Sequence, residues 1–206
     1  MPGLFDSFDN LDIIDVNNLA IYLKSPPSSD SLENYLANKI LYPTTLPLTM
    51  LDMKVDLAIL REALRIKKDS QFLNITSRKI IIPGKFLQYI PDLVSLTWAF
   101  VDGLLLNRSK KSWYEDQWTV MISGDIDEVA GTVLLPQFEG LSDLMSLTLM
   151  GREYKISAGS LTVVPCSKSR CQISYKFKKG KILDKNINEV EVYGGKLGLM
   201  IDGRAL

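Results

Sequence analysis

The sequence predicts a mainly β, α+β fold: an antiparallel β-sandwich-like domain carrying one or two short helices. Three observations predict it. From Arg78 onward, apolar and alternating runs follow one another at short intervals, each closed by a Gly, Pro or Asp signal. Helical periodicity is read only in short stretches before Ser70, with 141–150 ambiguous between helix and strand. With 46% hydrophobic residues and no long polar tract, the 206-residue chain can bury a sizeable core, and its length fits one compact domain.

Residues 1–28 read as an acidic N-terminal arm with one short helix around residues 14–23, ended by the breaker Ser25-Pro26-Pro27-Ser28-Ser29. Residues 29–206 follow as a single β-rich domain. Asp30 with Glu33 three positions on has the form of a capping box, and Leu32, Tyr35, Leu36 and Ile40 recur at helical spacing, which predicts a helix over 31–40. Residues 51–57 alternate strictly, placing Leu51, Met53, Val55 and Leu57 on one face of a half-buried strand. Residues 58–68 read as an amphipathic helix built on Leu60 and Leu64 with Arg61, Arg65, Lys67 and Lys68 outside; continuation of the strand is the competing reading.

Strands are then expected at 78–82, before Pro83-Gly84, and at 93–102, where Val94, Leu96, Trp98 and Phe100 alternate with Ser95, Thr97 and Ala99. Further strands are expected at 113–123, 129–135, 153–157, 160–164, 172–178, 188–193 and 196–201, while 141–150 is open between helix and strand.

The chain contains no histidine, which removes Ser-His-Asp, Cys-His and histidine-bearing metal motifs and so most hydrolase designs. A non-enzymatic protein is expected, without a cofactor. The longest apolar region, 86–106, is broken by Gln88, Pro91, Asp92 and Asp102, short of the roughly 20 clean apolar residues of a membrane span. The N-terminus has four aspartates before any basic residue, the reverse of a secretory signal, which predicts a reducing compartment. There Cys166 and Cys171 fit a free thiol pair in a polar loop; with no histidine, a zinc site would lack ligands. Gly194-Gly195-Lys196-Leu197-Gly198 lacks P-loop spacing and reads as a tight turn. Asp125, Asp127 and Glu128 are the alternative, a carboxylate set for Mg²⁺ or Ca²⁺ in a metal-binding module or metal-dependent enzyme, although three acids beside a glycine also describe an exposed hairpin turn.

Net charge is zero but unevenly spread: residues 1–50 carry net −4, and residues 152–185 carry nine cations against two acids, net +7. Such asymmetry suits an anionic partner for one face, or an acidic arm on a basic neighbour; a solvated lysine-rich hairpin is the plainer reading. Arg108, Lys110 and Lys111, followed by Trp113 and Tyr114, join a cationic turn to aromatic rings, a combination used on single-stranded nucleic acid and at lipid headgroups. Lys176, Lys178, Lys179 and Lys181 cluster around Gly180. Such loops attract phosphate whether RNA or acidic lipid carries it.

Residues 40–55 (ILYPTTLPLTMLDMKV), 71–75 (QFLNI) and 93–106 (LVSLTWAFVDGLLL), in this order, resemble the small matrix proteins of negative-strand RNA viruses, most closely the bornavirus type. The resemblance covers roughly residues 40–120. It implies a β-sandwich-like domain that forms tetramers or larger lattices beneath the viral envelope, in the virion and at the inner membrane surface of the host cytoplasm. There it would link an anionic membrane to single-stranded RNA or nucleoprotein in assembly and budding. By position it makes Arg108, Lys110 and Lys111 contact residues. The chain departs from that type in its zero net charge and in Pro26-Pro27, which no tyrosine follows.

Overall fold

A computed structural model of the chain describes residues 4–6, 8–71, 78–105, 117–182 and 188–204. The fold is α+β, in two compact units: residues 1–75 with 83–107, and residues 76–82 with 108–206.

The first unit is helical. After a 3₁₀ turn at Leu11–Ile13, α1 (Val16–Ile21) starts at Asp15, whose carboxylate accepts from the Asn17 N–H. Helix α2 (Ser29–Leu41) is capped by Ser28, whose hydroxyl accepts from the Ser31 N–H, two residues earlier than the Asp30/Glu33 pair suggests. Helix α3 (Met50–Gln71) opens on a reciprocal box in which Thr49 Oγ1 accepts from the Asp52 N–H and Asp52 Oδ2 accepts from the Thr49 N–H. After a 3₁₀ turn at Gly84–Gln88, α4 (Leu93–Leu105) is capped by Asp92, which accepts from the Val94 N–H at 3.0 Å. The N-terminal segment packs in this unit: Leu4, Phe5, Leu11 and Leu19 are buried, and Asn10 and Asn18 donate to the Ala63 carbonyl and the Glu62 carboxylate of α3.

These helices correct two expected strands and the expectation of one or two short helices. Residues 51–57 lie in α3, where Leu51 is exposed and Met53 half-buried, so their alternation marks no common face. The helical stripe is obscured in the sequence because Asp56 and Glu62, which break it, are buried against specific partners. Residues 93–102 lie in α4, which is buried almost all round and so has no stripe to read. Its polar groups are satisfied locally: Thr97 Oγ1 donates to the Leu93 carbonyl at 2.8 Å, and Asp102 pairs with Arg61 of α3 at 3.1 Å. At Gly103 the two helices meet so closely that a Cβ would lie 2.6 Å from Leu64 Cβ.

The second unit holds β1 (Lys79–Pro83), β2 (Gln117–Ser123), β3 (Glu128–Leu134), β4 (Gln137–Phe138), β5 (Leu144–Leu149), β6 (Arg152–Ser157), β7 (Leu161–Val164), β8 (Cys171–Phe177), β9 (Gly180–Lys181), β10 (Glu189–Val192) and β11 (Gly198–Asp202). They form a five-stranded sheet ordered β1-β2-β3-β11-β7, a four-stranded sheet ordered β10-β8-β5-β6, and the small pair β4-β9. The strands expected from the C-terminal half are found within a few residues, and 141–150 resolves as strand β5.

One core joins the larger sheets: Leu134, Val164, Leu199 and Ile201 from the first, and Met145, Leu147, Leu149, Ile173, Tyr175 and Val192 from the second. The four-stranded sheet is antiparallel throughout, as expected. The five-stranded sheet is mixed, because β11 pairs parallel with β3, Gly198 opposite Gly131. The chain reaches β11 from β10 of the other sheet, so a hairpin does not dictate its direction.

Candidate interface for anionic ligands

Of the candidate contact residues singled out in the sequence, Arg108, Lys110, Lys111 and Trp113 lie outside the described residues, so their cluster has no structural account. The other cluster is placed. Lys176 is on β8, Lys178 and Lys179 form the exposed turn after it, and Lys181 sits in β9 with its backbone opposite Gln137. The turn requires Gly180: at φ 132° its Cβ would lie 2.5 Å from the Gln137 carbonyl oxygen and 2.9 Å from the Phe177 ring.

Sheet register adds a residue that spacing along the chain does not reveal. Strand β5 is central, and Ser146 on it pairs with Lys176 of β8 on one side and Lys155 of β6 on the other. All three belong to the outer face, since Met145, Leu147, Tyr175 and Ile156 of the alternating positions are buried. Directly opposed residues sit with Cβ atoms about 5 Å apart, so the two lysine stems rise roughly 10 Å from each other with the Ser146 hydroxyl between them. The ladder continues through Lys178, whose N–H donates to the Leu144 carbonyl, adding a third ammonium one row along. Among the described residues, Lys155, Lys176, Lys178 and Lys179 make no salt bridge.

The neighbouring row is acidic, running Glu153, Thr148, Ser174, Glu189, and Glu189 accepts from the Gln172 amide at 2.7 Å. The face is therefore polar with a cationic end. A phosphate or sulfate group set over Ser146 meets a hydroxyl donor and two ammonium groups, a charge-assisted arrangement open to solvent.

Of the carboxylates in the metal alternative, Asp125 and Asp127 are exposed in the β2–β3 turn, and Glu128 is exposed at the start of β3, where it accepts from Lys196 Nζ at 2.8 Å. Among the described residues no group of three or more His, Cys, Asp or Glu side chains is arranged to hold a metal ion. The free-thiol expectation is corrected: Cys166 and Cys171 are bonded to each other across the β7–β8 loop.

That loop and the glycine turn, with positive φ at Gly195 and Gly198, line a shallow pocket of about 350 Å³ with Val129, Ser167, Ser169, Arg170, Tyr193 and Gly194. Arg170 is already engaged, 3.4 Å from Glu191 and 5.4 Å from the Tyr193 ring centre, so it is a weaker anion site than the lysine row. Among the described residues no helix is long and apolar enough to cross a membrane. No protein-family model, curated protein or solved structure matches the chain.

Proposed function

We propose that this chain is a non-enzymatic assembly protein of the viral matrix type, which self-associates and uses lysine-bearing strands and turns to engage anionic membrane or RNA beneath an envelope. The observation that carries the reading is the row Lys155, Ser146, Lys176, extended by Lys178 and Lys179, on an outer sheet face where, among the described residues, the same row carries no neutralising carboxylate. The second unit gives that face a rigid base, two larger sheets sharing one apolar core, whereas the described residues that carry the matrix resemblance lie in the helical first unit. Self-association has a candidate surface in β7, an edge strand with the uncharged sequence Leu161-Thr162-Val163-Val164 whose Leu161 and Val163 side chains are exposed.

Sedimentation across protein concentration, joined to flotation with phosphatidylserine vesicles and titration with single-stranded RNA in a salt series, tests the reading. Concentration-dependent oligomers and binding that weakens steeply with salt are expected. A strict monomer that binds neither ligand at low salt refutes it.

A further inference from the structure

The four-stranded sheet has two edge strands, β10 and β6, and the fold treats them differently. The Asn188 carbonyl accepts from Tyr175 N–H of β8, so the backbone groups of Glu191 and Tyr193 turn the other way, toward the five-stranded sheet. There they are taken: Gln117 Nε2 donates to the Glu191 carbonyl at 2.7 Å, and Thr132 Oγ1 donates to the Tyr193 carbonyl at 2.9 Å and accepts from its N–H at 2.8 Å.

Strand β6 has no such cover. Ala158 N–H donates to the Asp143 carbonyl, so by the alternation of an antiparallel ladder Arg152, Tyr154 and Ile156 direct their backbone groups at β5, and Glu153 and Lys155 direct theirs to the open side. Among the described residues no strand pairs with β6 on that side, and the exposed side chains of Glu153 and Lys155 make no ion pair. The edge keeps register with β5 over six successive pairs without a bulge and contains no proline, so it lacks two devices that commonly deter strand addition.

We propose that β6 pairs antiparallel with β6 of a second copy of this chain, about a two-fold axis at Tyr154. In that register Glu153 faces the partner's Lys155 and Lys155 faces the partner's Glu153, both pairs on the outer face with Cβ atoms about 5 Å apart, and each pair exchanges two backbone hydrogen bonds. The charges select this register. A slip of two residues sets Glu153 against Glu153 in one direction and Lys155 against Lys155 in the other, and a slip of one turns the side chains to opposite faces. They also select the occupant: β10 is covered, and β7 has no charge to answer Glu153 or Lys155, whereas a second β6 answers both. The axis joins the two four-stranded sheets into one of eight strands with both outer faces on the same side, so Ser146 and Lys176 of each copy face one surface. The inference deepens the self-association part of the proposed function, through a contact other than β7.

Sedimentation equilibrium of the full chain at low salt tests it. Wild type is expected to dimerise. Glu153→Lys and Lys155→Glu, both at exposed positions, each make the two cross-copy pairs repulsive and should weaken dimerisation by about tenfold or more. Glu153→Lys combined with Lys155→Glu in one chain restores opposite charges and should recover the wild-type constant, and an equimolar mixture of the two single variants should dimerise more tightly than either alone. Single reversals that associate as wild type does, or a double variant as weak as the singles, overturn the pairing and leave the proposed function standing through another contact. A monomeric wild type also overturns the pairing, and it refutes the proposed function only where single-stranded RNA and phosphatidylserine vesicles are both ignored as well.

Discussion

Helix α2 is tied to α3 by one buried charge pair, and its removal has a calculable pH signature. Lys39 and Asp56 are 3% and 0% exposed, with Nζ 2.9 Å from Oδ2, and the Tyr35 hydroxyl donates to the other carboxylate oxygen at 2.9 Å. Burial raises the Asp56 pKa above its ordinary value, and Lys39 and the Tyr35 hydrogen bond pull it back. Lys39→Met keeps the stem and deletes the countercharge. The buried carboxyl then holds a proton in the folded state, at a cost of about 1.4 kcal/mol for each unit by which pH exceeds the ordinary value near 3.9, or about 4 kcal/mol at pH 7.

The direction follows from the raised folded pKa. Stability of the variant is fully present below the unfolded pKa and is lost as pH rises. Urea denaturation of wild type and variant between pH 7 and 4.5 should show the deficit shrinking by about 1.4 kcal/mol per unit. Lys39→Met combined with Asp56→Leu should recover most of it, since an apolar pair can replace a buried ion pair at little cost. A deficit independent of pH, or below about 1 kcal/mol at pH 7, would refute the reasoning.

Other expectations follow the same logic. Gly103→Ala forces a Cβ to within 2.6 Å of Leu64 Cβ and 2.8 Å of the Arg61 carbonyl oxygen, and should cost about 1–3 kcal/mol in chemical denaturation. Burial tends to raise the Glu62 pKa, but hydrogen bonds from Arg65 at 2.9 Å and Asn18 at 2.8 Å leave it below the ordinary value. Its contribution is therefore present above the unfolded pKa and lost as pH falls. Glu62→Gln should cost about 1–3 kcal/mol at pH 7, and the gap should close on acidification toward pH 3. Lys155→Ala and Lys176→Ala should each reduce the slope of log affinity against log salt for single-stranded RNA by about 0.7, whereas Lys24→Ala, exposed in the other unit, should not. With no histidine in the chain, light scattering between pH 7.5 and 6 should find any oligomer unchanged.

Most strands of the second unit were legible because each has one buried and one open face. In β8, for example, Ile173 and Tyr175 are buried while Gln172 and Lys176 are exposed. The first unit was legible in part: the helices expected at 14–23, 31–40 and 58–68 fall on α1, α2 and α3, but 51–57 and 93–102 were read as strands although Thr49-x-x-Asp52 and Pro91-Asp92 open helices there that an apparent alternation concealed. Alternation misleads where burial is nearly complete, as in α4, and where polar residues enter the core with their own partners, as Asp56 and Glu62 do in α3. Asp56 meets Lys39 and Glu62 meets Asn18 across intervals that no local spacing rule spans.

By itself the sequence determined an α+β chain with a strand-rich C-terminal half, the exclusion of histidine chemistry, and a cationic stretch around Gly180. The tertiary structure decided the rest. It set Lys155 beside Lys176 through pairing of β6 and β8 to β5, and made β11 parallel to β3. It also left residues 40–51 outside the helical core. The physical reason is the same in each case: residue type and spacing fix which groups must be buried or charged, whereas register and packing between distant segments fix which of them meet.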